Sequence, residues 1–378
     1  MDSNLSVFHR ASLADVYVRR ILSAKGASGV FLAAPRRTGK STFIREDLVP
    51  ALQAQHADVI YVDLWADRSA DPGELIGSAI QRHLFSRESR LLQWARKGGL
   101  DKITVGGLQL DIQKVGVGRG TTLAEGLSAL SDATQALIVL VIDEAQHALT
   151  TEAGASALFA LKAARDQINS SAHHGFRLVA TGSNRDKLAL LVHGKDQAFL
   201  NASLVDMPLL DDAYLAWELQ QFDGEILPSL SALHEAFAIC GHRPETLRRV
   251  LDELAFVPDL DASRADALLL QQTRAALEEA RRGFMRQVNS LPPLQAAVLQ
   301  TMAEAGDQYA PFRTPTLTRY KAICAQLSAE EIRIDNSAIQ YALDALRDKA
   351  LVWKSARGVY AIEDGQHAAW LVNSAGND

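Results

Sequence analysis

Short apolar runs and amphipathic stretches alternate along the first half of the chain. Apolar runs of strand length occupy residues 29–33, 58–64, 136–145, 176–181 and 202–207. Between them, hydrophobic residues recur at helical spacing in residues 11–24, 74–84, 123–132 and 156–168. Residues 102–112 alternate around two glycines and predict an inserted hairpin, followed by a glycine-rich loop at 115–121. Strands that alternate with helices predict an α/β fold with a doubly wound parallel sheet.

The pattern becomes wholly helical after Pro208. Helices are predicted at residues 211–221, 231–239, 244–254 and 262–282. After Pro292 and Pro293, three further helices begin near residues 294, 315 and 337, and a strand pair follows. Three helices closed by a strand pair are typical of a winged helix-turn-helix. The sequence therefore predicts three domains: an α/β core over 1–207, a helical domain over 208–290 and a winged-helix domain over 291–378.

The turn after the first strand carries the clearest chemical signal. Gly39, Lys40 and Ser41 complete a G-x-x-x-x-G-K-[ST] pattern whose first position is Ala34. In such a loop the glycine lets the backbone approach a phosphate, the lysine reaches the β- and γ-phosphates, and the serine hydroxyl binds Mg²⁺. Backbone N–H groups between a strand and a helix also converge on an anion. The predicted nucleotide-binding loop consists of Ala34, Pro35, Arg36, Arg37, Thr38, Gly39, Lys40, Ser41 and Thr42.

A second motif ends the apolar run at residues 136–145. An unbroken apolar run fits a strand that is buried on both faces of a parallel sheet, and Asp143 and Glu144 follow at its carboxyl end. Open α/β sheets bind ligands at that edge, so we expect Asp143 beside the loop, where it would hold Mg²⁺ through water. Glu144 is placed to polarise the attacking water in phosphoryl transfer. The two motifs together predict a nucleoside triphosphate site with Mg²⁺ as cofactor.

Composition narrows the class of protein. The 378 residues are 48% hydrophobic and 22% charged, as in an ordinary globular protein. The net charge of −6 gives no overall attraction to nucleic acid or to anionic membranes. No apolar run is long enough to span a bilayer, and the first residues lack the apolar stretch of a signal peptide. Cys240 and Cys324 show no metal or redox spacing. We therefore expect a cytoplasmic protein without membrane contact.

The ordered set of motifs resembles the AAA+ superfamily of P-loop ATPases. It is most similar to archaeal-type ATPases, which are grouped with STAND signal-transduction ATPases and origin-recognition proteins. The similarity rests on the strings PRRTGKS, IDEAQ, VATGSN and GHRPETL, which occur in that family's order, and it covers about residues 5–365. The resemblance implies an ATP-binding core, a helical lid domain and a C-terminal winged helix. It is this resemblance that selects ATP over GTP.

The resemblance also implies roles for residues outside the two motifs. It makes Ser183 or Asn184 a polar sensor of the γ-phosphate or of the attacking water, although both residue types also commonly cap helices. In the lid, His242 replaces the second glycine of the family's G-G-x-P turn. There the resemblance implies that Pro244 packs against the nucleotide base, but proline is equally favoured as the first residue of a helix.

Arginines form the last group of candidates. Other AAA+ members carry an arginine sensor at the lid turn, but Arg243, Arg248 and Arg249 do not match its position cleanly. AAA+ rings commonly share an arginine finger between subunits. The resemblance therefore makes Arg185 the candidate finger and a homo-oligomer an implied partner. Arg185 and Arg177 are equally explicable as solvated charges.

Two other classes of nucleotide-binding protein fit less well. The string from Asp143 to Gln146 resembles a helicase motif, and residues 113–120 resemble the glycine-arginine motif of the same enzymes. In helicases, however, the glycine-arginine motif follows the acids, whereas here it precedes them. A small-molecule kinase rarely carries a helical lid followed by a winged helix. Both classes are disfavoured.

Two functions remain open for an ATPase of this kind. In one, the ATP and ADP states change contacts among core, lid and winged helix and so control self-assembly or a protein partner. In the other, the ATPase binds DNA in replication or transposition through the third helix of the winged helix. Residues 284–378 contain nine Lys/Arg and ten Asp/Glu, whereas strong phosphate binding needs clustered cations. A modest basic stripe would comprise Arg313, Arg319, Lys321, Lys354 and Arg357. The sequence therefore favours an ATP-hydrolysing switch, with a DNA-bound ATPase as the alternative.

Overall fold

In the computed structural model, the chain forms two compact units, Met1–Tyr214 and Leu215–Asp378. The described residues are 7–67, 69–87, 122–183, 185–193, 198–200, 202–330, 332–356 and 358–375. The predicted hairpin at 102–112, the glycine-containing stretch at 113–121, Asn184 and Arg357 lie outside them. The predicted domain boundaries at residues 207 and 290 stay predictions. Among the described residues, no helix combines the length and the apolar character needed to cross a membrane.

A five-stranded parallel sheet forms the centre of the first unit. Its strands are β1 (Val30–Ala33), β2 (Asp58–Asp63), β3 (Ile138–Asp143), β4 (Phe176–Gly182) and β5 (Ser203–Asp206). They are ordered β2-β3-β4-β1-β5, and every pairing is parallel. The sequence prediction of a doubly wound α/β core is confirmed.

The helices of the first unit cover both faces of this sheet. They are α1 (Ala11–Leu22), α2 (Lys40–Phe43), α3 (Val49–Ala54), α4 (Pro72–Ser86), α5 (Leu123–Thr134), α6 (Glu152–Asn169) and α7 (Arg185–Val192). Side chains alternate between the two faces along a strand, so Phe31 belongs to one buried cluster while its neighbours Val30 and Leu32 belong to the other. All positions of β3 are buried, which explains its unbroken apolar sequence.

Two features of the first unit differ from the sequence prediction. The helix that begins at Lys40 is interrupted by a π-helical turn at Ile44–Leu48 before it continues as α3. Pro50 lies in α3 and has no N–H to donate, so regular α-helical hydrogen bonding cannot run through this point. The helix α7 was not predicted, because its eight residues are too few to show a clear helical period.

The second unit is helical and ends with a hairpin and a final helix. Its helices are α8 (Asp212–Gln221, which begins in the first unit), α9 (Leu230–Ile239), α10 (Pro244–Ala255), α11 (Ala262–Asn289), α12 (Pro293–Ala305), α13 (Thr314–Leu327), α14 (Asn336–Asp348) and α15 (Gly365–Ala375). The strands β6 (Val352–Ala356) and β7 (Val359–Ile362) pair in antiparallel fashion.

The long helix α11 explains why the helical and winged-helix segments form one compact unit. It has 28 residues and continues beyond the predicted end at residue 282. Its C-terminal residues Phe284 and Val288 belong to the buried cluster of the winged helix. That cluster also contains Leu371 of α15, so the hairpin does not close the domain as predicted.

Candidate active site

The carboxyl ends of β1, β3 and β4 lie at the same edge of the sheet, and each contributes to one buried cluster of polar side chains. Lys40 begins α2 directly after the loop that follows β1. Its Nζ donates to Asp143 Oδ1 at 2.6 Å, to Glu144 Oε1 at 2.6 Å and to Thr181 Oγ1 at 3.2 Å. The structure therefore brings the lysine of the first motif and both acids of the second into direct contact.

Burial makes the charges of this cluster depend on one another. The side chains of Lys40, Asp143 and Glu144 are only 4%, 1% and 13% exposed. Burial alone would lower the pKa of Lys40, but Glu144 and Asp143 outweigh it and raise that pKa. Burial would likewise raise the pKa of each carboxyl, but Lys40 and neighbouring hydrogen-bond donors hold both pKa values below their ordinary range. All three groups are therefore charged at neutral pH.

The loop between β1 and α2 contains two residues in the left-handed backbone conformation. Gly39 has a φ of 84°, and Arg37 has a φ of 61°, a left-handed conformation that is uncommon for a residue other than glycine. The loop is anchored at its start, where the Ala34 N–H donates to the carbonyl of Gly182 at 3.1 Å. Within the loop, the Thr38 hydroxyl donates to the Pro35 carbonyl at 2.7 Å.

The Ser41 hydroxyl is one of the neighbouring groups that hold the pKa of Asp143 below its ordinary value, so the two predicted Mg²⁺ ligands lie beside each other. A hydroxyl and a carboxylate are oxygen donors of the kind that Mg²⁺ prefers, and a protein commonly supplies only one or two carboxylates while nucleotide phosphates and water complete the shell. The donor set is therefore suited to a magnesium-nucleotide complex.

Ser183 lies beside this cluster at the end of β4. Its hydroxyl accepts a hydrogen bond from Arg36 Nε at 3.3 Å and another from Gln146 Nε2 at 3.4 Å. Gln146 also donates to Glu144 Oε2 at 2.6 Å. The candidate sensor is thus joined to the loop on one side and to Glu144 on the other.

Arg185 forms an ion pair on the surface of the first unit. Its guanidinium lies 2.6 Å from Asp206, and the two side chains are 48% and 67% exposed. An exposed pair of this kind contributes little to stability, so the contact leaves Arg185 available to another role.

The predicted lid residues all lie in the second unit. Pro244 is the first residue of α10. Arg243, which precedes it, pairs with Asp364 at 3.3 Å, and Arg248 pairs with Glu218 at 2.6 Å. Arg249 is exposed. Both Arg243 and Arg248 are therefore held by acids of their own unit.

Three contributors to the site were not identified from the sequence. The Thr181 hydroxyl also hydrogen-bonds Asp143 Oδ1, and Tyr61 donates from β2 to Asp143 Oδ2 at 3.3 Å. Gln146 was noted only as part of the IDEAQ string and of a helicase-like string, without a role of its own. Thr181 lies near the carboxyl end of β4, and a polar residue at that place in an apolar strand was the signal that could have identified it.

Comparison with known proteins places the fold. No protein-family model matches the sequence, and no curated protein matches it. Among solved structures, the chain is similar to the Aeropyrum pernix ORC2 protein in ADPNP-ADP complexes, with 17% identity, 100% of this chain and 96% of that chain covered, and a TM-score of 0.52. The ADP form of that protein gives 18% identity, the same coverage and a TM-score of 0.50. The Aeropyrum pernix ORC1 protein in complex with DNA gives 14% identity, 99% and 93% coverage, and a TM-score of 0.47.

This likeness concerns the fold. The chain shares the overall fold of the Aeropyrum pernix ORC2 protein, with an α/β core followed by helical and winged-helix segments. The predicted fold class is confirmed.

Proposed function

We propose that this chain binds ATP with Mg²⁺ and hydrolyses it slowly, as a switch whose nucleotide state controls self-assembly or a protein partner. The observation that carries the proposal is the contact of Lys40 with Asp143 and Glu144 at 2.6 Å each, at the edge of a parallel sheet. The nucleotide-bound state of the similar Aeropyrum pernix protein supports the choice of ligand class.

Each residue of the cluster has a distinct chemical task in this proposal. The loop N–H groups and Lys40 would bind the phosphates. Ser41 and Asp143 would hold Mg²⁺, which neutralises phosphate charge. Glu144, kept ionised by its neighbours, would polarise the attacking water, and Ser183 would orient it.

The ion pairs of Lys40 support a switch. Lys40 is satisfied by two acids, and it would have to exchange these contacts for phosphate contacts when a nucleotide binds. Binding therefore rearranges the charges around Glu144, and a change of this kind can be transmitted to other parts of the chain or to a partner.

The charges of the winged-helix segment give little support to DNA binding. Arg319 is bound by Glu304 at 2.6 Å and Arg347 by Asp344 at 3.2 Å. Residues 284–378 also carry no net positive charge, so they lack the excess of cations that strong phosphate binding needs.

Calorimetry and steady-state turnover test the proposal. We expect Lys40→Ala to abolish ATP binding and Glu144→Gln to bind ATP while turning over at least 10²-fold more slowly, within the range typical of a general base. Lys25→Ala and Glu74→Gln, which replace exposed residues, are the matched controls and should behave as wild type. Retained ATP affinity in Lys40→Ala, or wild-type turnover in Glu144→Gln, would overturn the proposal.

The switch function has its own test. Glu144→Gln held with ATP should differ in solution mass or in hydrogen-exchange pattern from wild type held with ADP. Identical behaviour of the two states argues against a switch. If duplex DNA raises turnover several-fold, the result favours the alternative, a DNA-bound ATPase.

A further inference from the structure

The side chain of Gln146 is buried inside the proposed active site. It lies in the 3₁₀ helix Ala145–Thr150, which begins directly after Glu144, and it is 0% exposed. Glu144 itself has a φ of 55°, a left-handed conformation that costs free energy for a residue other than glycine. This turn directs Gln146 back onto the carboxylate that precedes it.

The two oxygens of Glu144 have different partners. Lys40 donates to Oε1 and Gln146 donates to Oε2, each at 2.6 Å. Among the described residues these are the two side chains that hydrogen-bond Glu144. In the proposed function Lys40 binds the phosphates, whereas the side chain of Gln146 is neutral and does not. Gln146 is therefore the partner that can stay with Glu144 when a nucleotide is bound.

The surroundings of Gln146 fix its amide in place. Its Nε2 also donates to the Ser183 hydroxyl at 3.4 Å. A Cβ atom at Gly182 would lie 2.5 Å from Gln146 Oε1, so only a glycine leaves space for the amide. Oε1 itself is buried without a hydrogen-bond partner in the described part of the chain. A buried polar atom without a partner costs free energy, but a flipped amide would turn Oε1 towards the Glu144 carboxylate, so the bonds donated by Nε2 decide how the amide is oriented.

We propose that Gln146 is a positioning residue, which holds the Glu144 carboxylate in the orientation needed to polarise water and links that carboxylate to Ser183. This inference rests on the proposed function. It assigns Gln146 no contact with the nucleotide. Its effect should therefore appear in the chemical step and not in ATP binding.

Gln146→Met tests the assignment, because methionine is similar in size but cannot donate a hydrogen bond. We expect kcat to fall roughly 10- to 100-fold, as for loss of a hydrogen bond to a charged group, with KM and ATP affinity within about 2-fold of wild type. Gln167→Met, at an exposed position of α6, is the control. Gln146→Leu is a second uncharged variant that lacks the donor, and it replaces Gln146→Met if that variant does not fold.

A double-mutant cycle separates positioning from a merely structural role. If Gln146 acts through Glu144, Gln146→Met should lower turnover in the wild-type background and have no further effect in Glu144→Gln. Additive losses, a loss of ATP affinity, or unchanged kcat in Gln146→Met would each overturn the inference. If Glu144→Gln turns over slowly while Gln146→Met turns over at the wild-type rate, only this inference is refuted. If Glu144→Gln itself turns over at the wild-type rate, the proposed function is refuted.

Discussion

Replacing Lys40 by methionine should destabilise the nucleotide-free protein, in addition to any effect on ATP binding. Methionine is close to lysine in length but has no charge. The substitution leaves the buried Asp143 and Glu144 carboxylates next to each other without the Lys40 ammonium, and the Asp143 side chain is only 1% exposed. Removing one partner of a buried ion pair typically costs about 3–5 kcal/mol, because the remaining charge stays desolvated.

The expected size of the effect can be stated for two measurements. For a unit of 214 residues, 1 kcal/mol lowers Tm by about 2–4 °C, so the fall should be on the order of 10 °C. Amide hydrogen exchange in β3, at the centre of the cluster, should accelerate roughly 10²- to 10⁴-fold, because each tenfold change corresponds to about 1.4 kcal/mol. Lys25→Met, an exposed lysine, should change neither quantity.

The stability that Lys40→Met loses relative to wild type should depend on pH. In wild type the pKa values of Asp143 and Glu144 are held low, so their contribution to stability is present above about pH 4 and lost as pH falls. Without Lys40, burial would raise both pKa values, so stability would be lost as pH rises through them. The difference between variant and wild type should therefore grow as the pH rises above about 4, the ordinary pKa of a carboxyl.

A second substitution makes the prediction sharper. Asp143→Asn should destabilise wild type, in which the carboxylate binds Lys40, but it should stabilise Lys40→Met, in which it removes one of two repelling charges. If Lys40→Met keeps the Tm of wild type, or if Asp143→Asn destabilises both backgrounds equally, the charge argument is wrong.

Two further predictions concern other parts of the chain. Arg185→Ala should leave Tm unchanged, because the exposed pair with Asp206 contributes little. If Arg185 acts as a finger, turnover of Arg185→Ala should fall roughly 10³-fold. It should recover when this variant is mixed with Lys40→Ala protein, whose subunits still carry Arg185. Unaffected turnover in Arg185→Ala excludes the finger role. In the winged helix, Tyr320→Phe should cost about 1–2 kcal/mol in a denaturant titration, because it leaves the buried Tyr309 hydroxyl without its partner. Burial raises the pKa of Tyr320 to about 12, so wild-type stability should be lost above about pH 10, and an equal loss in Tyr320→Phe would contradict this assignment.

The sequence predicted most elements of the core because their signals are local. The run that ends at Asp143 is apolar at every position since β3 is buried on both faces. The helices α6 and α10 show their period over 18 and 12 residues, which is enough to detect. The eight residues of α7 are too few to show a helical period. The helix α15 was not predicted, because a winged helix commonly ends with its strand pair.

Only the tertiary structure decided how these elements contribute to the site. The sequence determined that Lys40 follows one strand and that Asp143 ends another, but it does not encode strand order locally. That order places β4 between β1 and β3, and this is why Thr181 lies between the lysine and the acid. Gln146 joins Glu144 to Ser183 because a left-handed turn at Glu144 and the missing side chain of Gly182 bring together residues 37 positions apart. Such contacts depend on packing between strands, whereas periodicity records only which residues are buried.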